Sequence, residues 1–178
     1  RLAARAGYPS MSVTTALYAG HVAVLEQFGA VRTLRDDLGA ALQRTGELNP
    51  QDEARARLAR ARAASRLRDY AVVEEELTRA LGPARAAQDA AVLRELQTLL
   101  GRRRMLAGDP QRALSHLQEA LMLARAAGET REEAGLLASL AGVALQVGDV
   151  DIAERRLTHV PERYIQFEAP FRSAEQEA

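Results

Sequence analysis

The chain contains no cysteine, no lysine and no tryptophan, and its only aromatics are four Tyr and three Phe in 178 residues. Without cysteine there is no disulfide framework, no thiolate zinc site and no cysteine nucleophile. Without lysine no phosphate-binding loop of the Gly-rich, Lys-tipped kind can form. Scarce aromatics beside abundant Ala and Leu favour closely packed helices over a sandwich or a barrel. No apolar run approaches the roughly 20 residues that a membrane helix needs. Charge of one sign is lacking too: 24 Arg stand against 24 Asp and Glu, so no net field steers the chain towards nucleic acid or an anionic membrane. The expected compartment is the cytoplasm. That every cation is Arg, in an Ala-rich chain, reads as GC-rich coding.

What is present is a repeat with a spacing of 40. Asp69, Asp109 and Asp149 fall in register, the last two within Ala107-Gly108-Asp109-Pro110 and Val147-Gly148-Asp149-Val150. Each reads as a turn between helices, because Gly adopts the left-handed conformation that ends one helix and Asp caps the amides that open the next. Pro110 stands where a missing N–H costs nothing. Leu77, Leu117 and Leu157 align, as do Ala40, Ala80 and Ala120. Ala61, Gly101 and Ala141 place a small residue eight before each Asp, where two helix backbones can approach closely.

Between these units, Gly128 to Glu133 reads as a helix stop followed by a capping box, with Thr130 taking one amide and Glu133 reaching back. Asn49-Pro50 opens a helix in the same way. The pattern predicts antiparallel helices near 13–27, 30–46, 51–67, 70–87, 90–107, 110–127, 131–147 and 150–159.

Leu100-Gly101, Gly108-Asp109, Ala113 and Ala120 resemble the small-residue skeleton of a tetratricopeptide repeat, and Leu140-Ala141, Gly148-Asp149 and Ala153 restate it. The usual period of that family is about 34; the longer spacing here looks like the variant found in bacterial signalling and transcription regulators of the maltose-activator type. The resemblance covers about residues 50–160. It departs where the family carries aromatics, since Arg104 and Ala144 occupy one such place, and residues 13–46 keep only Gly29 and Ala40. It implies an all-α fold, a right-handed superhelix (α-solenoid) over residues 1–160 with repeats at 13–49, 50–89, 90–129 and 130–160. Its implied function is non-catalytic protein–protein interaction, as the partner-sensing region of a larger regulator.

Arg5-Ala6 aligns with Arg85-Ala86 and Arg125-Ala126, so residues 1–7 read as the end of an upstream repeat or as a short N-terminal cap. Residues 161–178 carry Pro161, Pro170, Tyr164, Ile165, Phe167 and Phe171, and read as a capping helix or a flexible tail.

Catalytic and metal-binding patterns are missing. His21, His116 and His159 have no ligand partner at helical spacing. Ser115 and His116 are adjacent and diverge by about 100° on a helix. Glu74-Glu75-Glu76, with Arg79 beyond, reads as a solvated face with ordinary pairing. No cofactor is expected.

In tetratricopeptide proteins the first helix of each pair lines the concave surface. Positions 14, 11, 7, 4 and 3 before each loop Asp share a face. They are Arg55, Leu58, Arg62, Ser65 and Arg66; then Glu95, Thr98, Arg102, Met105 and Leu106; then Gly135, Ala138, Gly142, Leu145 and Gln146. Arg62 and Arg102 should stack, with Arg55 and Arg66 beside them, and the far end is small or apolar around Gly142. A protein or peptide with acidic residues at one end and an apolar anchor at the other fits this stripe. Two readings of the arginines stay open, partner binding or interhelical ion pairs. The set lacks the Asn and Lys of the carboxylate clamp found in chaperone-binding relatives. Nucleic acid is the alternative partner, opposed by the neutral charge and the lack of stacking aromatics.

Overall fold

A computed structural model describes residues 31–43 and 48–160. The expected helix at 13–27, the reading of residues 1–7 and that of 161–178 lie outside the described residues. Those described form seven helices and no strand: α1 (Val31–Gln43), α2 (Pro50–Arg66), α3 (Tyr70–Ala86), α4 (Ala90–Leu106), α5 (Pro110–Ala126), α6 (Thr130–Gln146) and α7 (Val150–Leu157). The chain divides into two compact units between Leu96 and Gln97, within α4. In the first unit α1 packs on α2 and α2 on α3; in the second α5 packs on α6 and α6 on α7, the sequence-order packing of an α-solenoid.

The backbone repeats every 20 residues, half the spacing seen in the sequence. Five helices of 17 residues begin at 50, 70, 90, 110 and 130, and each is followed by a three-residue turn. Residues 68, 88, 108, 128 and 148 all have positive φ, between 53° and 82°. At each turn the amide after that residue bonds back to a carbonyl five residues earlier, as in Asp69 N to Ala64 O at 2.9 Å and Asp109 N to Arg104 O at 2.9 Å. This is a Schellman closure. The residue completing it caps the next helix: Asp69, Asp89, Asp109 and Asp149 accept from the amides three residues on. One residue therefore ends one helix and starts another, and this overlap fixes the short turn. Asn49 caps α2 in the same way, accepting from Asp52 N at 2.8 Å.

Five expectations need correction. Thr130 is the first residue of α6 and not its cap; Glu129 holds the cap position but its side chain makes no capping hydrogen bond. Glu133 does not reach back to that cap, because its carboxylate takes Arg125 Nε at 2.7 Å across the turn. Ala40 is exposed, whereas Ala80 and Ala120 are buried. The reason is register: Leu34, Leu38, Ala41 and Leu42 form the buried face of α1, 79 residues before Ala113, Leu117, Ala120 and Leu121, so α1 is offset by one. Glu76 is buried, not part of a solvated run. Leu157, in line with the fully buried Leu77 and Leu117, is 40% exposed.

Close approach decides where small residues are required. A Cβ on Gly101 would stand 2.6 Å from Leu117 Cγ, so α4 meets α5 there with no space for a methyl group. Ala61 and Ala141, in the same register, are buried. The second unit's core gathers Leu117, Ala120, Leu121, Leu136, Leu137, Leu140 and Val160, and the first unit's gathers Leu34, Leu38, Leu42, Ala56, Ala59 and Ala63.

Candidate functional site

The predicted stripe divides between the two units, and its two parts differ chemically. In the first unit Arg55 and Arg62 are about half exposed, but both guanidiniums are held internally. Arg55 Nη2 lies 2.8 Å and its Nε 3.2 Å from Asp89 Oδ2. Arg62 Nε donates to Glu95 Oε1 at 2.7 Å, and its Nη2 meets the same oxygen. Both arginines thus make ion pairs between helices while keeping about half of their surface in solvent. Arg66, at the end of α2, is exposed, and Leu58 of the same stripe is buried.

Asp89 went unnoticed in the sequence because Gln88, not Gly, precedes it. Its Oδ1 caps α4 through Val92 N at 3.1 Å, while Oδ2 takes Arg55 and the Gln51 amide at 3.5 Å. Burial alone would push the carboxyl up, but the Val92 amide, Arg55 and Gln51 together outweigh it and hold Asp89 below its ordinary value of 3.8. The same device stands 20 residues earlier, where Arg35 Nη1 reaches Asp69 Oδ2 at 3.3 Å. The signal was there: an Arg 34 residues before each cap. It stops at Glu75, which pairs with Arg79 at 2.7 Å instead.

Glu76 also escaped sequence reading. Its side chain is 1% exposed, with Arg57 Nη1 3.2 Å from Oε2 and Arg60 bound to Oε1. Arg57 also bridges to Glu53 at 2.7 Å, so four charges on α2 and α3 form one network. A carboxylate buried beside two partly hydrated guanidiniums fixes how two helices meet, and presents no free group for chemistry.

In the second unit the remaining five residues share the neighbouring helices α4 and α6. Gln146 Nε2 donates to Met105 O at 3.3 Å, tying the ends of the two helices together. A Cβ on Gly142 would meet only Met105 Sδ, at 3.7 Å, and one on Gly135 would meet nothing within 4 Å. Leu106 and Leu145, at the ends of these helices, are 74% and 54% exposed. Arg102 is exposed one helical turn before Met105. Gly142 thus faces Met105, while Leu106, Leu145 and Arg102 of the same two helices are exposed.

Ser115 Oγ donates back to the Gln111 carbonyl at 3.2 Å, as serines within helices do, and His116 Nδ1 lies 2.6 Å from the buried Gln97 Oε1. His159 Nδ1 sits 2.7 Å from the Arg155 carbonyl. Among the described residues no three His, Asp or Glu side chains gather as a metal site, and no helix is long and apolar enough to cross a membrane. His21 lies outside them. No protein-family model matches the chain, and no curated protein matches it in sequence.

Proposed function

We propose that this chain is a non-catalytic scaffold that holds a protein or peptide segment on the α4–α6 face of its second unit. The observation that carries this reading is the pair of large apolar side chains, Leu106 and Leu145, left in solvent at the ends of the two helices on which Gly142 faces Met105. Exposed apolar groups gathered at one place, next to helix positions without side chains, are the usual mark of a docking surface. Internal pairing of Arg55 and Arg62 removes two of the arginines that a phosphate-binding alternative would use, and it moves the basic part of the surface to Arg102.

The resemblance to tetratricopeptide repeats extends the reading to a cytoplasmic, partner-sensing region of a larger bacterial signalling or transcription regulator, with the helix pairs wound into a right-handed superhelix. A nucleotide-binding module or a helix-turn-helix encoded in the same reading frame is expected on that view; stop codons on both sides would remove it.

The test is selection of binders from a displayed peptide library. The wild-type chain should enrich peptides that carry a bulky apolar residue, and Leu106→Glu with Leu145→Glu should lose them while the helical circular dichroism stays unchanged. Equal enrichment by the double variant would refute the site.

A further inference from the structure

Asp69, Asp89, Asp109 and Asp149 each cap a helix with Oδ1, and the turns differ in what Oδ2 meets. Asp69 Oδ2 takes Arg35 Nη1 at 3.3 Å and Asp89 Oδ2 takes Arg55 Nη2 at 2.8 Å, in both cases from an arginine 34 residues earlier. Asp109 Oδ2 meets Arg112 Nε of its own helix at 3.5 Å. Asp149 gives Oδ1 to Ile152 N at 3.0 Å, and among the described residues nothing reaches its Oδ2. The cause lies in two substituted positions. Ser115 stands 34 residues before Asp149, and Ile152 stands three after it, in the place of Arg112. Ser115 turns its hydroxyl back to the Gln111 carbonyl. A carboxylate oxygen that at the other three turns holds a guanidinium is therefore open at this one.

The turn that carries Asp149 is also concave. Val147, Gly148, Asp149, Val150 and Asp151 line an open cleft of about 380 Å³. Val147 and Val150 are 55% and 53% exposed, and Asp151 is exposed with no ion pair among the described residues. Leu67, in the place of Val147 in the first unit, is instead half-buried against that unit's core. The arginines of α7 donate to backbone: Arg155 Nε to the Asp151 carbonyl at 3.2 Å and Arg156 Nη1 to the Leu140 carbonyl at 3.3 Å.

We propose that this cleft docks a partner segment presenting an arginine beside an aliphatic side chain, with the guanidinium on Asp149 Oδ2 and Asp151 and the aliphatic group against Val147 and Val150. Charge selects that partner, because two carboxylates attract a cation. A guanidinium offers the forked donors that Arg55 uses on Asp89, where Nε and Nη2 meet one oxygen. The valines add the apolar contact, since an exposed ion pair by itself contributes little. The cleft shares no residue with the α4–α6 surface, so the two are tested separately.

Amide chemical-shift mapping on the full chain tests the proposal, with two blocked tripeptides as probes, Leu-Arg-Leu and its charge-reversed form Leu-Glu-Leu. Leu-Arg-Leu should shift the amides of Val147 to Asp151 saturably, and Leu-Glu-Leu should leave them in place. Asp149→Asn keeps a capping side chain but removes the charge, and should weaken Leu-Arg-Leu binding several-fold with the helical circular dichroism unchanged. Ser115→Arg should restore the internal pair seen at Asp89 and abolish the binding. No shift, equal shifts from the two peptides, or undiminished binding by either variant overturns the proposal. Shifts of the same amides on concentrating the protein alone overturn it in favour of a second copy of the chain.

Discussion

Asp89 divides its two oxygens between two helices: Oδ1 caps α4 at Val92, and Oδ2 takes the Arg55 guanidinium of α2 at 2.8 Å. A cap alone contributes about 1 kcal/mol, and here the same carboxylate also joins α2 to the turn before α4. Asp89→Ala should therefore cost more than Asp109→Ala, whose aspartate caps α5 and otherwise meets only Arg112 of its own helix, at 3.5 Å. Urea denaturation of the two variants decides this; equal losses would show that the Arg55 pair adds nothing.

The depressed pKa of Asp89 gives that contribution a pH dependence. A carboxyl that ionises more readily in the folded than in the unfolded chain stabilises the fold fully above its unfolded value, and the gain is lost as pH falls through the folded value, below 3.8. The stability difference between the wild type and Asp89→Asn should be constant near neutrality and shrink in acid below that point. Denaturation curves for both proteins across that range measure it.

Two glycines on the interacting helices should respond in opposite directions. Gly101→Ala places a methyl group 2.6 Å from Leu117 Cγ and should destabilise by about 1–3 kcal/mol through overpacking. Gly142→Ala meets only Met105 Sδ at 3.7 Å and should stabilise by roughly 0.5–1 kcal/mol through helix propensity. Thermal melts of both variants check the signs.

Arg68 and Gln88 hold left-handed turn positions, φ 58° and 53°, that Gly occupies at the three later turns. Arg68→Gly and Gln88→Gly should each stabilise by about 1 kcal/mol by relieving the Cβ clash. Gly108→Ala and Gly148→Ala should destabilise by a similar amount. Chemical denaturation of the four variants should give this mirror pattern.

Glu76→Gln leaves Arg57 and Arg60 facing a neutral group in a buried place. The expected loss is roughly 3 kcal/mol, the lower end for breaking a buried pair, since both guanidiniums keep some contact with water. Glu75→Gln, on the exposed side of α3, should change stability by less than about 0.5 kcal/mol. Equilibrium unfolding of the two side by side separates the neighbours.

Much of the framework was readable because local chemistry fixes it. Gly108-Asp109 and Gly148-Asp149 specify a left-handed residue and a cap whatever packs around them, and the helix limits drawn from them lie within one or two residues of those found. Asp89 escaped because Gln88 takes a left-handed conformation that its side chain does not advertise. Ala40 was misplaced because a single-residue offset in α1 reverses which face is buried, and that offset depends on a connection whose length the repeat does not set. Glu76 was misread for a similar reason: three consecutive glutamates point in three directions on a helix, and only the position of α2 makes one of them interior.

The amino-acid sequence by itself determined the helical class, the positions of most turns and the small residue at Gly101, since each rests on backbone conformation or on spacing along the chain. Tertiary structure alone decided which charges are engaged. Arg55 and Arg62 are engaged by Asp89 and Glu95, 34 and 33 positions away in the chain. Ion pairs between helices depend on through-space distance, which no single helix's periodicity encodes, and for that reason these pairs could not be read from the stripe.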